Sequence, residues 1–323
     1  MRIALAQMVC GWGEMKKNLR RSEKYIRQAA GRGAELVIFP EMSVHGMWKN
    51  HLVRLAAEPL DGPIVRRMRA WARKYKIAVG FGFAEKSARK PYNCYVLLDQ
   101  RGGIVGVYRK NFITILEKNF FRPDARRPLF QLGKLRIGIC ICADCHRRQP
   151  LESYGRRGVD LVLMPHAWDS DPLLKGGKIA VWRNEEHMVD AFATGKVVRY
   201  RTHHEMMKFF VGVLQPKAIK WGFHAAFVNP VGRSHPLIPF VGPAFVLDPK
   251  GRVIAKSADK KEALVVADIE LDPAGTGLLQ ANPGAAPPQP NAARVFAHVP
   301  RPPGPATICD RTLHENRNSH QPT

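Results

Sequence analysis

The stretch from Leu135 to Trp168 narrows the choice of fold more than any other. An apolar run of β type, Leu135 to Cys142, meets a polar break at Asp144. A helix-like segment follows from Leu151, and then a second apolar run, Leu161 to Met164. Together these read as strand, turn, helix and strand. Cys142 falls on the turn. A thiol there lies at a strand's carboxyl end and beside a helix N-terminus, where unpaired backbone N–H groups favour the thiolate and can hold an oxyanion. That is the geometry a cysteine nucleophile requires.

Other readings of the same residues stand beside this one. Free Cys is among the most buried residue types, so a structural role is the ordinary expectation for one Cys near a strand end. Cys140, Cys142 and Cys145 also resemble one half of a metal site. A structural zinc needs a second pair of ligands at knuckle spacing, and the only later cysteine is Cys309, in a Pro-rich tail. No metal is expected.

A chain of 323 residues can form two average domains or one large α/β domain. Apolar residues make up 45% and mean hydropathy is -0.24, as in ordinary soluble globular proteins. No apolar run has the length of a membrane span. The N-terminus alternates like a strand and lacks a cleavage site, so it is not read as a signal peptide. Six cysteines without regular spacing do not form a small secreted disulfide framework, and a cytoplasmic location is expected.

The charge is unusual: 51 basic against 27 acidic residues leave +24. Lys and Arg occur in separate clusters at Lys16 to Arg21, Arg66 to Lys76, Arg147 to Arg157 and Lys256 to Lys261. No recognition motif or aromatic-interleaved basic stripe accompanies them. Non-specific anion binding at low salt is therefore expected, and a specific nucleic-acid partner is not.

In chain order, residues 2 to 7 read as a strand and Asn18 to Ala30 as a helix with Leu19, Ile26, Ala29 and Ala30 on one face, stopped by Gly31 and Gly33. Glu35 to Phe39 reads as a near-continuous apolar strand. Behind Pro40 stands Glu41, at a sheet edge beside low-dielectric surface that can raise a carboxylate's pKa toward that of a general base; taken alone, it is ordinarily a solvated loop residue or a helix cap. Ile64 to Tyr75 is an amphipathic helix with Ile64, Met68, Trp71, Ala72 and Tyr75 inward. After the strand Ile77 to Ala84, a hairpin of Asn93 to Asp99 and Ile104 to Arg109 ends at Lys110, ordinarily a snorkelling edge charge. Glu117 follows, ordinarily a surface partner of Lys118 or Arg122.

Beyond Asp169 the chain is polar and helical in places, as at Val181 to Ala193. Met206 to Leu214 reads as a helix ended by Pro216. Strands return at Ala225 to Asn229, Ala244 to Leu247, Val253 to Lys256 and Ala263 to Ile269, with Asp248 to Gly251 as a turn. From Asp272 the composition shifts to Pro, Ala and Gly. The organisation expected is one domain over 1–272 and a disordered or partner-draped tail over 273–323.

Glu41 after a strand, Lys110 after a hairpin, Glu117, and Cys142 at an elbow stand in one order along the chain. With Phe39-Pro40-Glu41, Gly46, Tyr92-Asn93, Tyr108-Arg109-Lys110, Gly138 to Asp144, Val228 to Gly232 and Asp248 to Gly251, the set resembles the nitrilase superfamily of carbon-nitrogen hydrolases over about residues 1 to 272. The resemblance implies an α/β fold of four layers, an αββα sandwich; strand-helix alternation alone would suggest a doubly wound sheet. It implies Cys142 as nucleophile, Glu41 as the group that moves protons, and Lys110 with the backbone N–H of Ala143 as oxyanion donors. Glu117 would orient substrate and keep Lys110 and Glu41 in register. No metal or organic cofactor is implied, and a homodimer or larger homo-oligomer is, through the helical face next to the nucleophile.

Ala143-Asp144 after the nucleophile is closer to the Tyr-Asp or Asn-Asp of the amidase and N-carbamoylase branches than to the Trp-Glu of nitrilases. Thiol-dependent hydrolysis of a carboxamide or N-carbamoyl compound with release of ammonia is the expected activity, and a nitrile substrate is the alternative. Two segments depart from the pattern: Cys145 to Pro150 replaces an Arg-Phe-Pro-Glu type sequence, and Lys217-Ala218-Ile219-Lys220-Trp221 an Arg-Ala-x-Glu-Asn type motif. Residues 169 to 205 lack a counterpart and are the candidate for a specificity lid. From a different class, a catalytically degenerate basic protein on the same scaffold would bind an anionic partner with a steep salt slope. A papain-like site lacks that family's local signature.

Overall fold

In the computed structural model, which describes residues 1–47, 51–174, 194, 196–235 and 238–270, the strands form two large sheets. The first contains β1 (Arg2–Gln7), β2 (Leu36–Ile38), β3 (Ala78–Glu85), β4 (Tyr92–Leu98), β5 (Ile104–Arg109) and β16 (Ala263–Asp268), in the order β16-β1-β2-β3-β4-β5. The second contains β6 (Phe130–Leu132), β7 (Leu135–Ile139), β8 (Leu161–Pro165), β11 (His224–Val228), β14 (Ala244–Leu247) and β15 (Val253–Lys256), in the order β15-β14-β11-β8-β7-β6. Two small antiparallel ribbons, β9 (Pro172–Leu174) with β10 (Val197–Tyr200) and β12 (Val231–His235) with β13 (Ile238–Val241), lie outside them.

Strand pairs are parallel where a helix intervenes. Helix α1 (Met15–Gly31) separates β1 from β2, α3 (Pro63–Tyr75) β2 from β3, α4 (Arg148–Arg156) β7 from β8, and α5 (His203–Trp221) β8 from β11. A short helix, α2 (Leu52–Ala56), precedes α3. Ile3, Leu5, Ile38 and Tyr95 of the first sheet meet Ile137, Ile139, Leu163 and Val228 of the second in one core. The outer face of the first sheet packs on α1 and α3, and that of the second on α4 and α5. The four layers are thus α, β, β, α, and the alternation of strand and helix belongs to two facing sheets rather than one doubly wound sheet. Because every central strand is covered on both sides, β1, β3, β8, β11 and β14 are nearly continuous apolar runs.

Two local expectations need correction. Pro216 does not end its helix: α5 runs through it to Trp221, starting at a Thr202 and Glu205 capping box and closing at Gly222 with φ 65°. Met206, Phe210 and Leu214 before the proline and Ala218 after it bury on the second sheet, and this packing carries the helix past a missing hydrogen bond. Ala30, Trp71 and Tyr75 are half-buried and pack against the same core as Ile26, Ile64 and Met68, as expected, and the Tyr75 hydroxyl donates to Glu23 across α1 and α3. Finally, β2 lies in the middle of its sheet, so Glu41 follows a central strand.

All described residues fall within the compact unit Met1–Pro283. No helix among them is long and apolar enough to cross a membrane. The helix expected over Val181 to Ala193, most of the candidate lid and the tail from 273 lie outside the described residues.

Candidate active site

The carboxyl ends of β2, β5 and β7 converge between the two sheets. Glu41 follows β2 after Phe39 and Pro40. Its backbone N–H donates to the carbonyl of His166 at 3.2 Å, and its Oε2 accepts from the N–H of Ala167 at 2.8 Å. Both partners follow β8, so this one residue ties the two sheets together. Lys110 follows β5, its N–H donating to the Asn93 carbonyl at 2.9 Å. Its Nζ donates to Glu41 Oε1 at 2.7 Å and to Glu117 Oε1 and Oε2 at 2.8 and 3.0 Å. The Thr114 N–H fixes Glu117 Oε2 at 3.0 Å.

These side chains are dry: Glu41, Lys110 and Glu117 are each 1% exposed and Cys142 is 5% exposed. The solvated-loop reading of Glu41, the edge-charge reading of Lys110 and the surface pairing of Glu117 are therefore overturned. Two carboxylates about one ammonium leave a net negative charge in a low-dielectric volume, and something must give. Burial raises the pKa of Glu41, more than the Lys110 charge lowers it, and the charge on Glu117 adds to the rise. Burial also opposes the charge on Lys110, but Glu117 and Glu41 hold its pKa well above the ordinary value. Glu117 is pulled below the carboxylate range against burial, by the charge and hydrogen bonds of Lys110 and by Thr114. Of the two acids, Glu41 is the one poised to take up a proton.

Cys142 begins a 3-10 turn, Cys142–His146, immediately after β7. Its φ of 46° is left-handed, a conformation that costs a non-glycine residue about 1–3 kcal/mol and marks a sharp elbow. Met42, next to Glu41, is similar at 51°. The charges of Glu41, Lys110 and Glu117 all act on the Cys142 thiol. Burial, and then the negative charge of Glu41, push its pKa well above the ordinary thiol value. This corrects the expectation of a resting thiolate: a turn of five residues does not outweigh burial beside a carboxylate.

Asp144 fastens the elbow. It accepts from Tyr108 Oη at 2.8 Å, the Phe112 N–H at 2.8 Å and the Ile141 N–H at 3.0 Å, joining the turn to the segment between Lys110 and Glu117. Burial pushes its pKa up to about 6, these donors and Lys110 opposing. The two segments that depart from the family pattern meet here: Lys217 Nζ, on α5, donates to the Cys145 carbonyl at 2.7 Å. The Cys145 thiol lies 3.4 Å from the Cys140 carbonyl, both buried away from the inter-sheet face that holds Cys142. His146 is neutral, with a pKa of about 3 forced chiefly by burial, against Trp168 at 4.9 Å between ring centroids.

One participant has no role in the sequence reading. Asn93, on β4, is fully buried and donates from Nδ2 to Glu41 Oε1 at 2.7 Å and to Glu117 Oε1 at 3.4 Å. Asn is depleted in strands, so one inside Tyr-Asn-Cys-Tyr-Val was a signal of a specific buried partner. Its amide favours the charged form of Glu41. In Asn93→Leu the acid limb of the kcat/KM profile is expected to move to higher pH by about one unit, with about a 10-fold lower plateau. An unmoved limb would show that the amide does not bear on Glu41.

This constellation sits on a recognisable scaffold. The chain belongs to the carbon-nitrogen hydrolase family, whose profile matches residues 2–276. N-carbamoylputrescine amidase of Arabidopsis thaliana is 24% identical over 281 residues, covering 84% of this chain and 86% of that one. A nitrilase of Pyrococcus abyssi is 24% identical over 275 residues, covering 84% and 90%. In fold, the chain is similar to an amidase from Nesterenkonia sp., with a TM-score of 0.66 at 21% identity over 83% of this chain and 90% of that one.

Proposed function

We propose that this chain hydrolyses a carboxamide or N-carbamoyl compound through a thioester on Cys142, releasing ammonia. The observation that carries the reading is a buried Lys110 held between the buried carboxylates of Glu41 and Glu117, with all three charges bearing on the Cys142 thiol. Glu41 takes the thiol proton as sulfur attacks the carbonyl carbon. The C–S bond forms and the carbonyl pair moves onto oxygen, where Lys110 Nζ and the Ala143 backbone N–H receive the charge. Glu41 passes the proton to nitrogen, the C–N bond breaks and ammonia leaves. Water, deprotonated by Glu41, then attacks the thioester, and the departing sulfur regains a proton. Glu117 holds Lys110 in register and orients the substrate.

Ala143-Asp144 after the nucleophile and the carbamoyl-cleaving relative favour amide or carbamoyl substrates; the similarity to a nitrilase makes nitrile hydrolysis the second reading. The same reading places a homo-oligomer contact on the α4 and α5 layer. The test is ammonia release from a panel of carboxamides, N-carbamoyl amino acids and amines, and nitriles under reducing conditions, with Cys142→Ala as the blank. Ammonia from the wild type alone, at least about 10³-fold above the variant, is the expected result. Equal release from both proteins, or none from either, would overturn the thiol mechanism.

A further inference from the structure

Two charge clusters that stand 39 or more residues apart along the chain share one surface. α1 and α3 lie on the same outer face of the first sheet, joined through Ile26, Ile64 and Met68 and by the hydrogen bond from Tyr75 to Glu23. Every exposed charged residue on either helix is basic, with Lys17 paired to Glu14 at the N-terminal end of α1. On α1 these are Lys16, Lys17, Arg20, Lys24 and Arg27; on α3 they are Arg66, Arg67, Arg73 and Lys74. Glu23, the one acidic residue within the two helices, is half-buried and turned to Tyr75 and Lys74. In a chain with 51 basic and 27 acidic residues, nine charged positions filled without bias would include about three carboxylates. The opposite layer is mixed: Glu152 pairs with Arg148 and Arg156 there, and Glu205 with Arg199.

We infer that the α1 and α3 face binds the phosphodiester backbone of a nucleic acid without reading its sequence. From Lys16 to Arg27, α1 presents cations over about 16 Å of helix axis, the length of about five phosphates along one strand. Of the aromatic residues on the two helices, Tyr25 is buried and Trp71 and Tyr75 are half-buried in the packing beneath the face, so the helices offer no stacking surface and their contact is with phosphate. A membrane surface fits less well, because a helix lying in lipid turns an apolar side outward. Among the described residues no large apolar side chain exposed to solvent lies on α1 or α3. The chain does not supply its own anion: residues 271–323 hold three acidic and four basic side chains. A second copy set against this face would bring the same cations to it, so like charge opposes self-association through α1 and α3.

This inference does not depend on the hydrolase reading. The test is fluorescence anisotropy of two 20-base-pair duplexes of unrelated sequence, titrated with the full chain across 50 to 200 mM salt. Equal affinity for both duplexes is expected, with log K falling against log salt at a slope of about -4. Combined Lys16→Gln, Arg20→Gln, Lys24→Gln and Arg27→Gln is expected to weaken binding at least about 10-fold at 100 mM salt and to flatten the slope by about 3. Combined Arg148→Gln, Arg156→Gln, Lys208→Gln and Lys220→Gln removes the same charge from the opposite layer and is expected to change affinity less than about threefold. Unchanged thermal unfolding of both variants keeps the comparison clean. Equal losses in the two variants would reduce the effect to net charge and overturn the assigned face. Absence of binding at 50 mM salt, or capture by anionic vesicles that duplex fails to compete away, would overturn the nucleic-acid partner.

Discussion

Lys110→Met is expected to cost about 3–5 kcal/mol of folding stability and to lower ammonia release by at least about 10³-fold. The two losses have different origins. Lys110 is 1% exposed and is the shared partner of Glu41 and Glu117, so its removal leaves two carboxylates facing each other in a dry volume. Protonation of one acid relieves part of the cost, and the rest appears as destabilisation. Adding Glu117→Gln to Lys110→Met removes one of the orphaned charges, and Glu41, whose pKa burial already raises, can then go neutral. The double variant is therefore expected to regain most of the stability and none of the activity. Urea unfolding and the ammonia assay separate the two effects. A Lys110→Met protein as stable as wild type would contradict a buried triad, and an active double variant would remove Lys110 from the proposed chemistry.

The triad also shows where reading a sequence in isolation stops. Strands buried on both faces announce themselves as apolar runs, and the elbow at Cys142 follows from the strand on one side and the helix on the other. Local reasoning assigns Lys110 to the surface because lysine is almost never buried unless paired, and its partners lie 69 and 7 positions away. Only the ordered match to a family placed it inside. Asn93 belongs to the same match, but its role is not legible in the chain, since it depends on two carboxylates brought to it from β2 and from the segment after β5. The thiolate expected at a helix N-terminus failed for a related reason. The helix was visible in the chain, but the surrounding core and the charge of Glu41 were not. Pro216 is the opposite case: a strong local rule yields to apolar residues on both sides of it that bury against one sheet.

The raised pKa of Cys142 makes two effects of Glu41→Gln run in opposite directions. In the proposed mechanism Glu41 is the only proton acceptor for the thiol, so the variant is expected to lose about 10³–10⁴-fold in kcat/KM. The same carboxylate, when charged, is the second cause after burial that keeps the thiol protonated. Replacing it with a neutral amide lowers the Cys142 pKa, and alkylation of this residue by iodoacetamide near pH 9, followed by peptide mapping, is expected to become faster than in wild type. Wild type is expected to show no plateau of alkylation at low pH, because its resting form is the thiol. Its kcat/KM should fall as pH drops through the raised Glu41 value, above the ordinary carboxylate range, since only the ionised acid can accept the proton. A variant that loses turnover and alkylation together would mean that Glu41 holds the site in shape, because only a base that also repels the thiolate separates them.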